Sequence, residues 1–210
     1  MDKIIGALQW RYATKKFINT KKLSKSQVEE LLEAVRLAPA SYGLQSYRII
    51  LVEDEEKRKM LREAAYGQSQ FTDASNILVF AVRKDLNEND VKEYMEEIAK
   101  VRGLPMEQLK GYSDMINNSI STRDNETKKN WATRQAYIAL GVLLTVAATE
   151  KIDATPMEGF DIAKFDEILG LGELGLTSVV VAAVGFRDEG DDYLKMKKVR
   201  MPKDKLFIKI

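Results

Sequence analysis

The residues best suited to chemistry are cations, gathered in two clusters near opposite ends of the chain. Arg11-Tyr-Ala-Thr-Lys-Lys-Phe17 carries Arg11, Lys15 and Lys16, interleaved with Tyr12 and Phe17. Lys195-Met-Lys-Lys-Val-Arg200 adds Lys195, Lys197, Lys198 and Arg200. Arginine and lysine grouped in this way can grip a phosphate. If the first segment is extended, Arg11, Ala13 and Lys15 share one face, with Tyr12, Thr14 and Lys16 on the other. Taken alone, it reads first as a solvated basic turn. Between the clusters lies Asp153-Ala-Thr-Pro-Met-Glu-Gly-Phe-Asp161, in which Pro156 and Gly159 bracket Glu158. A tight loop of this kind can offer backbone N–H groups to a ligand, although it also suits a plain helix–helix connection. Gln68 and Gln70 carry amides able to read the polar edge of a heterocycle, and such amides are common on surfaces too.

What the chain lacks narrows the chemistry further. It contains no cysteine and no histidine. Disulfides, thiolate catalysis and thiolate metal sites are therefore excluded, and the commonest general base and metal ligand are missing. No acidic cluster at loop-like spacing suggests a metal, and none is expected. The glycine fingerprint of dinucleotide folds, the phosphate-binding P-loop and the serine nucleophile elbow are all absent. An enzyme built from this inventory takes its hard chemistry from a bound cofactor, with the protein supplying position and charge. The net charge of +1 gives no general attraction to nucleic acid or an acidic membrane. The N-terminus is amphipathic and not of signal-sequence type, so a soluble, cytoplasmic protein is expected.

These groups need a scaffold, and a mixture of helices and strands can be read for one. Residues 2–10 suggest a short helix with Ile4, Ile5 and Leu8 on one side. Ser24 to Gln27 has the form of a capping box opening a helix that stops before Pro39. Residues 48–53 and 76–82 read as buried strands. Residues 55–66 read as a helix with Met60, Leu61 and Ala64 inward. From about 87 to 130 the chain is helical, charged and weakly patterned, which suggests a solvated face or a flap. From Ala136 to Ala148 only Gly141 and Thr145 are not hydrophobic. This run of about 13 residues is too short for a bilayer, which needs roughly 20, yet it must be covered nearly all round. A partner subunit would make that easier. Asp161 suits the cap of a short helix, residues 176–186 form the strongest strand, and residues 206–210 read as a last apolar strand. Strands and helices are mixed, without the regular alternation of a doubly wound fold.

In order along the chain, four blocks resemble the FMN-dependent nitroreductase family. Arg11 to Phe17 is similar to its Arg-x-Ser-x-Lys/Arg-x-Phe opening. Ala38-Pro-Ala-Ser-Tyr-Gly-Leu-Gln-Ser-Tyr47 resembles its Ala-Pro-Ser-Ser-x-Asn/Gly-x-Gln-Pro-Trp loop. Trp131 through Gly141, with Pro156 to Asp161, resembles its central helix and following loop. Lys198-Val-Arg-Met-Pro202 is similar to its Lys-x-Arg-Leu-Pro ending. The resemblance implies an α+β fold in one domain over residues 1–210: a central mixed, largely antiparallel sheet flanked by helices, in an intertwined homodimer. A helical flap is implied at about 88–125, and a C-terminal arm at about 195–210 reaching the partner.

It further implies bound FMN, with NAD(P)H as electron donor and a ping-pong hydride transfer through flavin N5 to nitroaromatics, quinones or related small acceptors. Arg11, Lys198 and Arg200 map onto the phosphate partners, and Ala13 stands where the family has its opening serine. Losing one neutral hydrogen bond there should weaken FMN binding by about 1 kcal/mol. Lys15 would sit near the pyrimidine edge. Backbone N–H groups of Glu158 and Gly159, in the loop with Pro156 and Met157, would approach N5, and Lys15, Glu158 and Gly159 would tune it. Pro39, Ala40, Ser41 and Gly43 would come from the other subunit, with Gln68 and Gln70 at the flavin edge. Tyr42 and Tyr112 are the candidate substrate contacts. Two alternatives stand beside this: a flavin or quinone reductase for which nitro reduction is incidental, and a flavin-binding protein without turnover. A helical dimer with merely solvated cations is the plainest reading.

Overall fold

A computed structural model describes residues 2–210. Its sheet is built from β1 (Tyr47–Val52), β2 (Asn76–Arg83), β3 (Asp153–Met157) and β4 (Leu176–Gly185), in the order β1-β2-β4-β3. Every adjacent pair is antiparallel. Of the mixed sheet expected, the parallel part is one bridge between Ala13 and Ala154. The two central strands are those with near-continuous apolar sequence, because both of their faces are covered. Residues 48–53 were expected to be buried, but β1 lies at the edge: Arg48 is exposed and Ile49, Ile50 and Leu51 are only half-buried. The 153–157 stretch, expected as loop, is the opposite edge strand. Pro156 has no N–H to donate, and an edge position tolerates that.

Alternation along the strands divides the core in two. Leu78, Phe80 and Val82 of β2, with Val180, Ala182 and Val184 of β4, meet α2 (Lys25–Arg36) and α7 (Asn125–Thr149). The α7 contribution includes Ala132, Ala136, Ala139, Leu143 and Ala147, whose small side chains bring the helix close to the sheet. Ser24 caps α2 in the expected box with Gln27. On α7's other side Tyr137, Ile138 and Gly141 are exposed, so one stripe of this apolar helix is uncovered within the chain. The helix α1 (Asp2–Trp10) packs against α7 and leaves Ile4, Ile5 and Leu8 exposed.

Ile77, Val79, Val181 and Ala183 face the other way, onto α3 (Glu55–Ala64), α4 (Gln70–Asp73) and the short helix of residues 162–168. Phe71 and Phe165 meet edge to face at 5.5 Å there. Met60 was expected inward but is exposed, and Arg58 is buried in its place. Arg58 donates to the carbonyls of Phe71 (2.6 Å), Ala74 (2.5 Å) and Ser75 (3.0 Å), satisfying the open end of α4. Arg58, Leu61 and Ala64 share one face of α3, a pattern obscured by the long charged side chain at its start.

The charged region after β2 forms α5 (Glu88–Arg102) and α6 (Met106–Ser121), which enclose a third cluster. Val91, Met95 and Ile98 pack there against Leu109, Ile116 and Ile120. The pattern is legible at three- and four-residue spacing; its charges lie on the outer face. After β3 comes α8 (Ile162–Ile168), which Asp161 caps as expected through the N–H of Lys164. The last apolar residues form no strand: α9 (Lys203–Leu206) is followed by irregular chain. A strand needs a hydrogen-bonding neighbour, and residues 206–210 pair with no strand of their own subunit among the described residues. From Asp192 onward every residue is exposed, including Val199 at 83% and Ile208 at 84%.

Candidate functional site

The first cation cluster forms a strap held by two isolated bridges, with a bend at Lys15. Ala13 bridges Ala154 and Phe17 bridges Arg187, so the strap lies across the end of the β3–β4 pair. Thr14 and Phe17 turn into the protein, while Arg11, Ala13 and Lys15 line a cleft of about 570 Å³. Lys198 and Arg200 line the same cleft from the C-terminal arm, and Pro156 lines it from β3. Trp10, Tyr12, Tyr193, Leu194 and Met196 complete walls that are aromatic and apolar. Thus six of the expected cofactor residues meet, although Arg11 and Arg200 are 189 positions apart in the sequence.

The electrostatics of the cleft are unbalanced. Among the described residues, Arg11, Lys15, Lys198 and Arg200 have no ion-pair partner. Burial, and then Arg200, lower the pKa of Arg11; burial, Arg200 and Arg11 lower that of Lys198. The buried Nε of Arg11 has no hydrogen-bond partner. Unpaired, partly desolvated cations raise the free energy of a fold unless an anion meets them. The donor set suits a phosphate: two guanidinium groups and an ammonium. Lys198 Nζ donates to the carbonyls of Leu8 and Arg11, which fastens the arm to the C-terminal end of α1.

Sequence reading missed the groups that hold this cleft in shape. Asp191 is 1% exposed. One of its carboxylate oxygens accepts from the N–H groups of Lys15 (2.7 Å) and Lys16 (3.2 Å) and from the Tyr12 hydroxyl (3.0 Å). The other accepts from the Tyr193 N–H at 3.0 Å. One side chain therefore ties the strap to the turn forming the opposite wall. Burial pushes the Asp191 carboxyl up, but the donated hydrogen bonds outweigh it and hold the group below its ordinary value. Arg187 accompanies it, stacked over Trp10 at 4.0 Å and Tyr12 at 4.7 Å and paired with buried Asp153 at 2.5 Å. The signal available was an acidic run beside a cationic one, which reads as a solvated turn.

The remaining expected residues lie elsewhere in the subunit. Pro39, Ala40, Ser41 and Gly43 do not line the cleft. The loop turns back at Tyr42 (φ 59°) and Gly43 (φ 77°), and buried Gln135 accepts the Ser41 N–H at 2.8 Å. Tyr112 donates to the carbonyl of Tyr42 at 2.7 Å, so the two candidate substrate residues are in contact. Gln68 joins the third group: its Nε2 donates to the Gly159 carbonyl at 2.7 Å. Glu158 and Gly159 are exposed, Met157 is buried in the core, and Gln70 is buried within α4. A Cβ on Gly159 would meet nothing nearer than Gln68 Nε2 at 3.8 Å, so the chain itself leaves the space beside this glycine open.

Residues 8–186 match the model of the nitroreductase family. A Staphylococcus haemolyticus protein named as an NAD(P)H nitroreductase is 35% identical, over 96% of this chain and 94% of that one. The crystal structure of the Bacillus subtilis nitroreductase-named protein ydfN superposes with a TM-score of 0.89 at 20% identity, covering 100% of both chains. A nitroreductase-named protein of Exiguobacterium sibiricum, crystallised in complex with FMN, gives a TM-score of 0.83 at 18% identity over 99% of this chain and 97% of that one. On the match across most of its length and the identity to its relatives, the chain belongs to the nitroreductase family of oxidoreductases.

Proposed function

We propose that this protein is an FMN-dependent oxidoreductase that uses NAD(P)H to reduce nitroaromatics, quinones or related small acceptors. The observation that carries the reading is the set of unpaired cations in one aromatic-walled cleft, with a buried Arg11 Nε awaiting an acceptor. Arg11, Lys198 and Arg200 would hold the phosphate, and Lys15 would set a positive charge beside the ring system. Bound FMN would take hydride from the nicotinamide and pass it to the acceptor, which is why the chain needs neither histidine nor cysteine. The exposed Glu158–Gly159 bend supplies backbone donors, and Gln68 holds it. Pairing of two subunits would cover the α7 stripe, the α1 face and the arm, whose apolar side chains are otherwise left to water. It would also bring the partner's 39–43 loop, with Tyr42 and Tyr112 behind it, to the cleft. With NAD(P)H as its donor, the reaction would run in the cytoplasm. Among the described residues, no helix is long and apolar enough to cross a membrane.

The purified protein should be yellow, absorbing near roughly 450 nm, and NADH or NADPH should bleach it. A yellow protein that neither nucleotide bleaches would mean a flavin carrier without turnover, and a colourless one that takes up no FMN would end the proposal. Gly159→Ala separates the fold from the ligand. Since the chain leaves room for the methyl group, stability should stay within about 0.5 kcal/mol, while FMN dissociates more readily. Thermal melting and fluorescence titration with FMN would check both halves. Unchanged FMN affinity would remove Gly159 from the site.

A further inference from the structure

The bend that follows β3 has lopsided hydrogen bonding. The Glu158 carbonyl accepts from the Phe160 N–H at 3.0 Å. The Gly159 carbonyl accepts from Gln68 Nε2 at 2.7 Å, and the Glu158 carboxylate accepts from the Tyr137 hydroxyl. Among the described residues, nothing accepts from the N–H of either Glu158 or Gly159. The backbone acceptors are all engaged and both donors remain open, so the bend is electrically one-sided toward any acceptor that approaches it.

Its two clamps are themselves anchored. Gln68 Nε2 also donates to the carbonyl of Ala65, at the end of α3, at 3.0 Å. Tyr137 belongs to α7, whose neighbouring Ala136 and Ala139 are locked against the sheet. Beyond the bend, Phe160 is buried against Phe165 at 4.3 Å. A two-residue bend containing glycine is otherwise free to rotate its peptide planes. Partial desolvation at the hydroxyl and the neighbouring Glu158 carboxylate raise the pKa of Tyr137, so it remains a donor at neutral pH.

We infer that Tyr137 and Gln68 are positioning residues, acting through the Glu158 carboxylate and the Gly159 carbonyl to keep two open amides aimed at an acceptor atom of the bound electron carrier. The inference rests on the FMN reading above. Fixed donors favour the electron-rich form of a ring they meet, so their alignment governs how readily that ring takes electrons. The clamps therefore act on the reaction and leave cofactor affinity to the cations of the cleft.

The test is a cycle of Tyr137→Phe, Glu158→Leu and the double variant, each purified with FMN. Stopped-flow bleaching by NADH, the midpoint potential of the bound FMN and FMN affinity are measured for each. Both single variants should bleach about tenfold more slowly at a lower potential, because small misplacements of reacting groups cost rates of this order. FMN affinity should stay within about twofold, and the double variant should be no slower than either single, as members of one contact are not additive. Gln68→Leu should also slow bleaching. Wild-type rate and potential in Tyr137→Phe would overturn the inference, and so would slowing that multiplies in the double variant. A wild-type protein that binds no FMN would instead defeat the underlying reading, and with it this one.

Discussion

Replacing Arg200 with alanine should release the flavin without weakening the empty protein. Arg200 adds charge to a cleft where desolvation already disfavours Arg11 and Lys198, and it lowers the pKa of both. Its guanidinium donates only to the carbonyl of its neighbour Val199, at 2.7 Å, among the described residues. Removing it therefore breaks no long-range contact and relieves repulsion on Arg11. A charge-assisted hydrogen bond contributes about 1.5–3 kcal/mol, so FMN affinity should fall about 10- to 150-fold. Gel filtration followed by the visible spectrum would show a colourless variant, and its apoprotein should melt no lower than wild-type apoprotein. Full flavin retention by Arg200→Ala would mean that the phosphate lies elsewhere. A large loss of apoprotein stability would mean that Arg200 is a structural residue.

Asp191→Ala should have the largest effect on stability. It strips the acceptor from the Tyr12 hydroxyl and from the N–H groups of Lys15, Lys16 and Tyr193. Unsatisfied buried donors cost about 1–3 kcal/mol each, and partial rescue by water brings the expected total to about 3–5 kcal/mol. The strap and the opposite wall would also part, so FMN binding should fall with stability. Asp191→Asn keeps the shape, loses the charge and should lie between.

The pH dependence follows from the same group. Its native carboxyl lies below the ordinary aspartate value of about 3.9, so its contribution is fully present above that value. That contribution is lost as pH falls through the lowered native value. Chemical denaturation of the apoprotein across the acid range should therefore show a shallower acid limb in Asp191→Ala than in wild type. Parallel acid limbs would mean that Asp191 is not a major source of acid sensitivity.

How far the sequence disclosed this arrangement depended on the kind of pattern involved. Continuous apolar runs exposed the central strands, and the Ser24 and Asp161 caps marked their helices, because these signals are local. Alternation placed Arg11, Ala13 and Lys15 on one face, and the structure puts all three in the cleft. Edge positions escaped notice: β3 was hidden by Pro156, which is acceptable only where no neighbour needs its N–H. Arg58 and Asp191 were missed because burial of a charge depends on distant donors and acceptors that no local pattern records. The C-terminal apolar residues have strand propensity, but it needs an edge to complete it, and among the described residues their own subunit supplies none. The meeting of Lys198 with Arg11 came from resemblance to a family, not from spacing.

The arm has a final consequence for the thermodynamics of loading. It carries Lys198 and Arg200 on a segment whose apolar side chains face water. If the proposed FMN and subunit pairing both hold, ligand uptake and the covering of that segment would be linked equilibria, each favouring the other to the same degree. On that reading, whatever shelters the arm would tighten the cofactor and diluting the protein would loosen both, so the amount of flavin that travels with the protein on gel filtration would also report its state of assembly.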